Sequence, residues 1–121
     1  MDKITKSLED YLEAIYVLEL KKEKLHSVAI ANLLNVSKPA VTKALNELKN
    51  KGYVTKDIYQ DVSFTKKGRE IAKNVYYRHT IIKEFLIKIG VKKNIAEIDC
   101  CKIEHVISKE TLKAFEKELK K

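Results

Sequence analysis

The stretch Val28-Ala29-Ile30-Ala31-Asn32-Leu33-Leu34-Asn35-Val36-Ser37-Lys38-Pro39-Ala40-Val41-Thr42-Lys43 decides how this chain folds. It reads as a short helix from about Ser27 to Leu34, with Val28, Ala31 and Leu34 on its inner side, then a tight turn at Val36 and Ser37. A second helix follows from Lys38 to about Lys51. Ser37 supplies an N-cap oxygen, and Pro39 falls in the first turn, where its missing N–H leaves no helical bond unmade. Val41, Ala44, Leu45 and Leu48 recur at helical spacing and are expected inward, with Gly52 as the stop.

Downstream the period changes. Tyr53-Val54-Thr55 and Val62-Ser63-Phe64 are β-prone and flank the polar tip Ile58-Tyr59-Gln60-Asp61, the pattern of a short hairpin. Two helices, a tight turn and a two-stranded hairpin are the order of a winged helix-turn-helix, whose second helix is built to enter a major groove. The start of that helix, at Ser37, presents free N–H groups and a positive dipole end to phosphate. Its outward residues are Lys38, Pro39, Ala40, Thr42 and Lys43. Lys43 suits a guanine edge, Thr42 a phosphate or a thymine methyl, and Pro39 and Ala40 suit methyl groups. Tyr59 and Gln60, at the hairpin tip, suit the DNA backbone or the minor groove. Helical pairs followed by hairpins also occur in proteins that bind no DNA, but the charge here favours a polyanion.

Charge is distributed in blocks. Residues 1–20 carry a net −3, residues 38–56 +4 and residues 66–93 +7, while residues 94–121 balance. The whole chain of 121 residues stands at +8, which argues for an anionic partner as readily as for a solvated lysine surface. One proline and three glycines point to a mainly α chain. No apolar run approaches a bilayer span, and the N-terminus lacks a secretory pattern, so a cytoplasmic location without membrane association is expected. Adjacent Cys100 and Cys101 are no disulfide framework, which fits a reducing compartment.

Upstream of the deciding stretch, Ile4, Leu8, Tyr11, Leu12, Ile15 and Tyr16 make one apolar stripe of a helix that Ser7 is placed to cap. Downstream, Thr65 is expected to cap a long helix carrying Ile71, Val75, Ile82, Phe85, Leu86 and Ile89 and closed by Gly90. A further helix runs from about Asn94 to Val106, and Ser108 caps a last one bearing Leu112, Phe115 and Leu119. The seam between an N-terminal winged helix (1–72) and a helical second domain (73–121) falls inside the long helix, near Ala72.

The sharpest local pattern is Cys101-Lys102-Ile103-Glu104-His105. On a helix, residues three and four apart share a face, so a thiolate, a carboxylate and an imidazole converge, a donor set able to hold a divalent transition metal. Each residue alone has an ordinary reading as core, surface charge or satisfied polar group. Asp10 and Glu13 form a second pair three apart, though Ser7-Leu8-Glu9-Asp10 also resembles a capping box. His79 stands alone in the sequence.

Ser7-Leu8-Glu9-Asp10-Tyr11-Leu12-Glu13-Ala14-Ile15-Tyr16, Val36-Ser37-Lys38-Pro39-Ala40-Val41-Thr42, Tyr77-Arg78-His79 and Ile103-Glu104-His105-Val106-Ile107-Ser108 resemble, in order and over nearly the whole chain, the signature stretches of the diphtheria toxin repressor (DtxR/MntR) family. The resemblance implies an N-terminal winged helix, a helical metal-binding and dimerisation domain, and no enzymatic role. It places metal ligands at Asp10, Glu13, His79, Cys101, Glu104 and His105. It also implies a homodimer that reads a palindromic operator of metal-homeostasis genes when Mn²⁺ or Fe²⁺ is bound as co-repressor. Co²⁺, Ni²⁺ or Zn²⁺ are expected to substitute in vitro, and no small organic substrate is expected.

Asp10 and Glu13 match the manganese-sensing branch, which has a glutamate where Cys101 stands. The iron-sensing branch has a cysteine there and a methionine at the position of Asp10. An ancillary site of the iron branch uses a glutamate where Lys83 stands and a histidine where Glu97 stands. The SH3-like third domain of some members is not expected in a chain of 121 residues. Two rivals remain: a thiol redox regulator using Cys100 and Cys101 without metal, and a small metalloenzyme, which would need a cleft and a placed general base that the sequence does not offer. Cys100 lies about 100° round the helix from Cys101 and is expected to matter little.

Overall fold

Thr5, rather than Ser7, begins the first helix. Its Oγ1 accepts from the N–H of Leu8 at 3.2 Å, so α1 spans Lys6–Leu20 and Ser7 becomes its second residue. The cap placed here removes the alternative role of Asp10 in a capping box at Ser7. A computed structural model describes residues 4–56 and 61–121. Tyr59 and Gln60, the expected hairpin-tip contacts, lie outside the described residues. The chain divides into two compact units, Met1–Lys73 and Asn74–Lys121.

In the first unit, α2 (Ser27–Leu34) and α3 (Lys38–Asn50) follow α1. The apolar stripe of α1 supplies Leu8, Tyr11, Leu12, Ile15 and Leu18 to a core completed by Ile30, Val41, Ala44, Leu45, Leu48, Tyr53, Val54, Val62 and Ala72. Each large aliphatic side chain removed from water there stabilises the unit by about 1.5–3 kcal/mol. Of the inner face expected of α2, Ala31 and Leu34 pack against this core, but Val28 is 50% exposed and Ile30 is the fully buried residue. His26 caps this helix, its Nδ1 accepting from the N–H of Ala29 at 3.2 Å. Asn35 ends it in the left-handed region at φ 55°, which asparagine tolerates better than most residues, and Val36 N–H returns to the carbonyl of Ala31 at 3.0 Å. That left-handed residue is what turns the chain sharply into α3.

Ser37 caps α3 as its sequence requires, with Oγ accepting from Ala40 N–H at 3.2 Å. All four expected inward residues of α3 are buried. Gly52, at φ +81°, reverses the chain into β1 (Val54–Thr55), which pairs antiparallel with β2 (Ser63–Phe64), Val54 facing Phe64 and Thr55 facing Ser63. The base of this hairpin is clamped. Thr65 Oγ1 donates to the carbonyl of Gly52 at 2.7 Å and accepts from Gly68 N–H at 3.1 Å, capping α4 (Lys66–Lys88). Gly68 is required for closeness: a Cβ there would stand 1.8 Å from the carbonyl oxygen of Tyr53. Arg69 pairs through both terminal nitrogens with the Glu19 carboxylate and lies 5.1 Å over the Phe64 ring, tying α1, β2 and α4 together.

In the second unit the rest of α4 is joined by α5 (Lys93–Ile103) and α6 (Lys109–Leu119). Ile82, Cys100 and Leu112 form its core, with Leu86, Ile103 and Phe115 packed around them and the Phe85 and Phe115 rings stacked at 4.0 Å. Ser108 caps α6 through Thr111 N–H at 3.1 Å. The end of α5 differs from the expected Val106. The helix stops at Ile103, and Glu104 is its C-cap, still right-handed at φ −57°, ψ −26°. Among the described residues no helix is long and apolar enough to cross a membrane.

Candidate metal centre and nucleic-acid surface

The outward face of α3 carries the residues expected to meet DNA. Ser37, Lys38, Pro39, Thr42 and Lys43 are exposed, while Ala40 is half-buried. Lys38, Pro39, Thr42, Lys43 and Asn46 line one shallow concavity. Asn46, one turn beyond Thr42, was missed by the sequence reading. Its signal was its spacing, three and four residues from Lys43 and Thr42, and an asparagine amide matches the N6/N7 edge of adenine. The Thr42 hydroxyl donates back to the carbonyl of Lys38 at 3.2 Å. With its proton so engaged, the hydroxyl is less suited to a phosphate, which needs a donor.

Asp10 and Glu13 lie on α1, both half-buried, and Asp10 pairs with Lys6 at 3.6 Å. The other four expected ligands belong to the second unit, where Glu104 organises them. Its carboxylate is fully buried, with Oε2 3.0 Å from His79 Nδ1 and Oε1 3.4 Å from His105 Nε2. Its backbone carbonyl, left without a helical partner by the end of α5, accepts from Arg78 Nε at 2.8 Å. Cys101 Sγ lies 3.8 Å from the same His79 Nδ1. A buried carboxylate costs several kcal/mol unless it is paired and hydrogen-bonded, so a site that keeps one among two imidazoles and a thiol is built around charge. Nitrogen, oxygen and sulfur donors of this kind fit a divalent transition ion.

His79 is thus the hub of the cluster rather than an isolated residue, and no spacing along the chain shows it, since its partners sit on another element. Cys100, set aside by the helical-angle argument, is also part of the surroundings. Its Sγ lies 3.5 Å from Nδ1 and 3.6 Å from Nε2 of His79. In the ring plane such near-equal distances would drive the sulfur into Cε1, so it sits over the ring face, away from either nitrogen's lone pair. Burial first, and then neighbouring Cys101 and carboxylates, push the Cys100 thiol well up from its ordinary value. A reactive redox thiol needs exposure and a lowered pKa, and Cys100 has neither, so the thiol-switch reading finds no support. Lys83 and Glu97, where the resemblance puts ancillary ligands, pair with each other at 2.7 Å.

A winged helix-turn-helix followed by a helical unit with an N/O/S donor cluster defines a ligand-responsive DNA-binding protein. The chain belongs to the iron-dependent repressor family of metal-dependent transcriptional regulators. Residues 3–62 match its N-terminal DNA-binding domain, and residues 65–121 match its metal-binding and dimerisation domain. It is 36% identical over 111 residues to an uncharacterized helix-turn-helix-type transcriptional regulator of Methanocaldococcus jannaschii, covering 90% of this chain and 89% of that one. To the transcriptional regulator MntR of Salmonella typhimurium it is 35% identical over 108 residues, 89% of this chain and 69% of the relative. Among solved structures it is similar to the manganese regulator SloR, with a TM-score of 0.83, 30% identity and 97% of this chain covered. The chain spans 55% of the length of that structure.

Proposed function

We propose that the chain is a transcriptional repressor whose operator binding is switched on by a divalent cation, Mn²⁺ or Fe²⁺, acting as co-repressor. The observation that carries this reading is the buried Glu104 carboxylate between His79 and His105, beside the Cys101 thiol. Asp10 and Glu13, matched by position to the family's ligands, complete the proposed set with His79, Cys101, Glu104 and His105. When bound, the cation supplies the positive charge that three carboxylates and a thiolate lack, so occupancy and folding of the site are coupled. Cys101 is a soft donor and the carboxylates are hard ones, which favours response to more than one metal, with Cys101 setting the bias.

The DNA-contacting set is Ser37, Lys38, Pro39, Ala40, Thr42 and Lys43, with Asn46 added, and Tyr59 and Gln60 retained from the sequence. A single winged helix reads one half-site, so the active species is a homodimer on a palindromic operator with half-sites about one helical turn apart. The exposed isoleucines Ile87, Ile89, Ile95 and Ile98 suit the second copy. Metal-uptake or storage genes are the targets, and the working compartment is the cytoplasm.

A mobility-shift titration with chelator, then with Mn²⁺, anaerobic Fe²⁺, Co²⁺ or Zn²⁺, tests the reading. Specific binding should appear with metal and vanish with chelator. Tight specific binding that survives chelation unchanged would rule co-repression out.

A further inference from the structure

His79 is gripped from both sides of its ring, and the two sides are chemically different. On one side Nδ1 faces the ligand cluster, 3.0 Å from Glu104 Oε2 and 3.8 Å from Cys101 Sγ. On the other, Nε2 lies 3.0 Å from Oε1 of Glu97, whose second oxygen is ion-paired with Lys83 Nζ at 2.7 Å. Glu97, paired with the Lys83 ammonium, is a carboxylate that only accepts, so Nε2 gives it a proton; Nδ1 faces the Glu104 carboxylate in the same way, and a cation taken up on that side leaves Nε2 as the one ring N–H. An imidazole with a proton fixed on Nε2 has a single in-plane lone pair left to give, on Nδ1. The Cys100 sulfur over the ring face blocks rotation out of that plane.

We propose that Glu97, held by Lys83, is a positioning residue that keeps the Nε2–H form of His79 and so delivers Nδ1 to the metal. This rests on His79 being a ligand, as in the proposed function. Ligating histidines commonly give their second ring N–H to a carboxylate, which fixes the tautomer and raises ligand basicity. Here that carboxylate is itself anchored by an ammonium, so the relay runs Lys83 to Glu97 to His79. The Lys83–Glu97 pair is partly exposed, and pairs of that kind add little to stability. Its loss should therefore leave the fold intact and appear at the metal.

The experiment uses the full chain labelled with ¹⁵N-histidine and loaded with Zn²⁺, a diamagnetic probe. Long-range ¹H–¹⁵N spectra should show the wild-type His79 metallated at Nδ1 and protonated at Nε2. Glu97→Ala should give a mixture of Nδ1- and Nε2-metallated rings and lower Zn²⁺ affinity by about 10–100-fold. Glu97→Asp and Lys83→Met should fall between it and wild type, with circular dichroism confirming that all variants fold. Metal at Nε2 in the wild type, or an unchanged tautomer and affinity in Glu97→Ala, overturns the positioning role alone. His79 resonances that ignore Zn²⁺ overturn both this role and the ligand set on which it rests.

Discussion

Arg78 Nε donates to the backbone carbonyl of Glu104 at 2.8 Å, while the side chain of the same glutamate stands between two imidazoles. One residue of α4 thereby holds the main chain of the central ligand, and the next residue, His79, meets its carboxylate. Replacing Arg78→Met removes a charged donor from a carbonyl with no helical partner and loosens Glu104. Metal affinity should fall by roughly tenfold, as for other groups that orient a ligand. Arg78→Lys should recover only part, because an ammonium lacks the planar fork. Competition with a fluorescent chelator measures both.

On the nucleic-acid face, Asn46 and Lys43 should fail differently. Asn46→Ala should cost about 1–3 kcal/mol of discrimination at one base pair if the amide reads an adenine. Lys43→Ala should either do the same at a guanine or, if the ammonium meets phosphate, weaken all sequences alike and lower the salt slope by about one. Binding to a panel of single-substituted operators at two salt concentrations separates these outcomes.

Gly68 permits the closest approach in the first unit. With a Cβ only 1.8 Å from the carbonyl oxygen of Tyr53, Gly68→Ala must push α4 away from the hairpin base or break the Thr65 cap. The expected loss is about 3 kcal/mol, at the upper end of overpacking costs. Thermal unfolding of the variant should show it, and a melting curve unchanged from wild type would contradict the packing described.

The exposed isoleucines of α5 carry the dimer prediction. Ile95 is 43% exposed and Ile98 54%, three residues apart on one face. A lysine at Ile98 should leave the monomer folded and lower operator affinity by at least about tenfold, because charge at the core of an interface is strongly disfavoured. Sedimentation of the variant with metal present should give a monomer where the wild type gives a dimer.

Legibility in the sequence was uneven, for physical reasons. α3 was readable throughout because its cap, first-turn proline, buried tetrad and terminal glycine are all local signals. The inner face of α2 was legible at Ala31 and Leu34 but not in its first turn, where Val28, Ala29 and Ile30 are apolar in a row and packing chose Ile30 over Val28. Thr5 and Ser7 are equivalent caps chemically, and only the structure shows that the earlier one starts the helix. At the end of α5 no glycine, asparagine or proline marks the stop, and Arg78, 26 residues upstream, takes the carbonyl of the cap. The same distance hides His79. The triplet Cys101, Glu104 and His105 was visible as spacing, but the histidine that joins them is brought in by the packing of α4 on α5.

The early end of α5 also suggests where a reporter can be placed. Glu104 and His105 occupy the turn just past Ile103, and Val106, the next residue, is 82% exposed. A residue added between Cys101 and Glu104 would rotate the donors apart by about 100°. A bulky label at Val106 disturbs no core and sits one peptide bond from His105. A fluorophore attached there through an unnatural side chain, which avoids the two cysteines, would turn the chain into an optical sensor of its own metal loading.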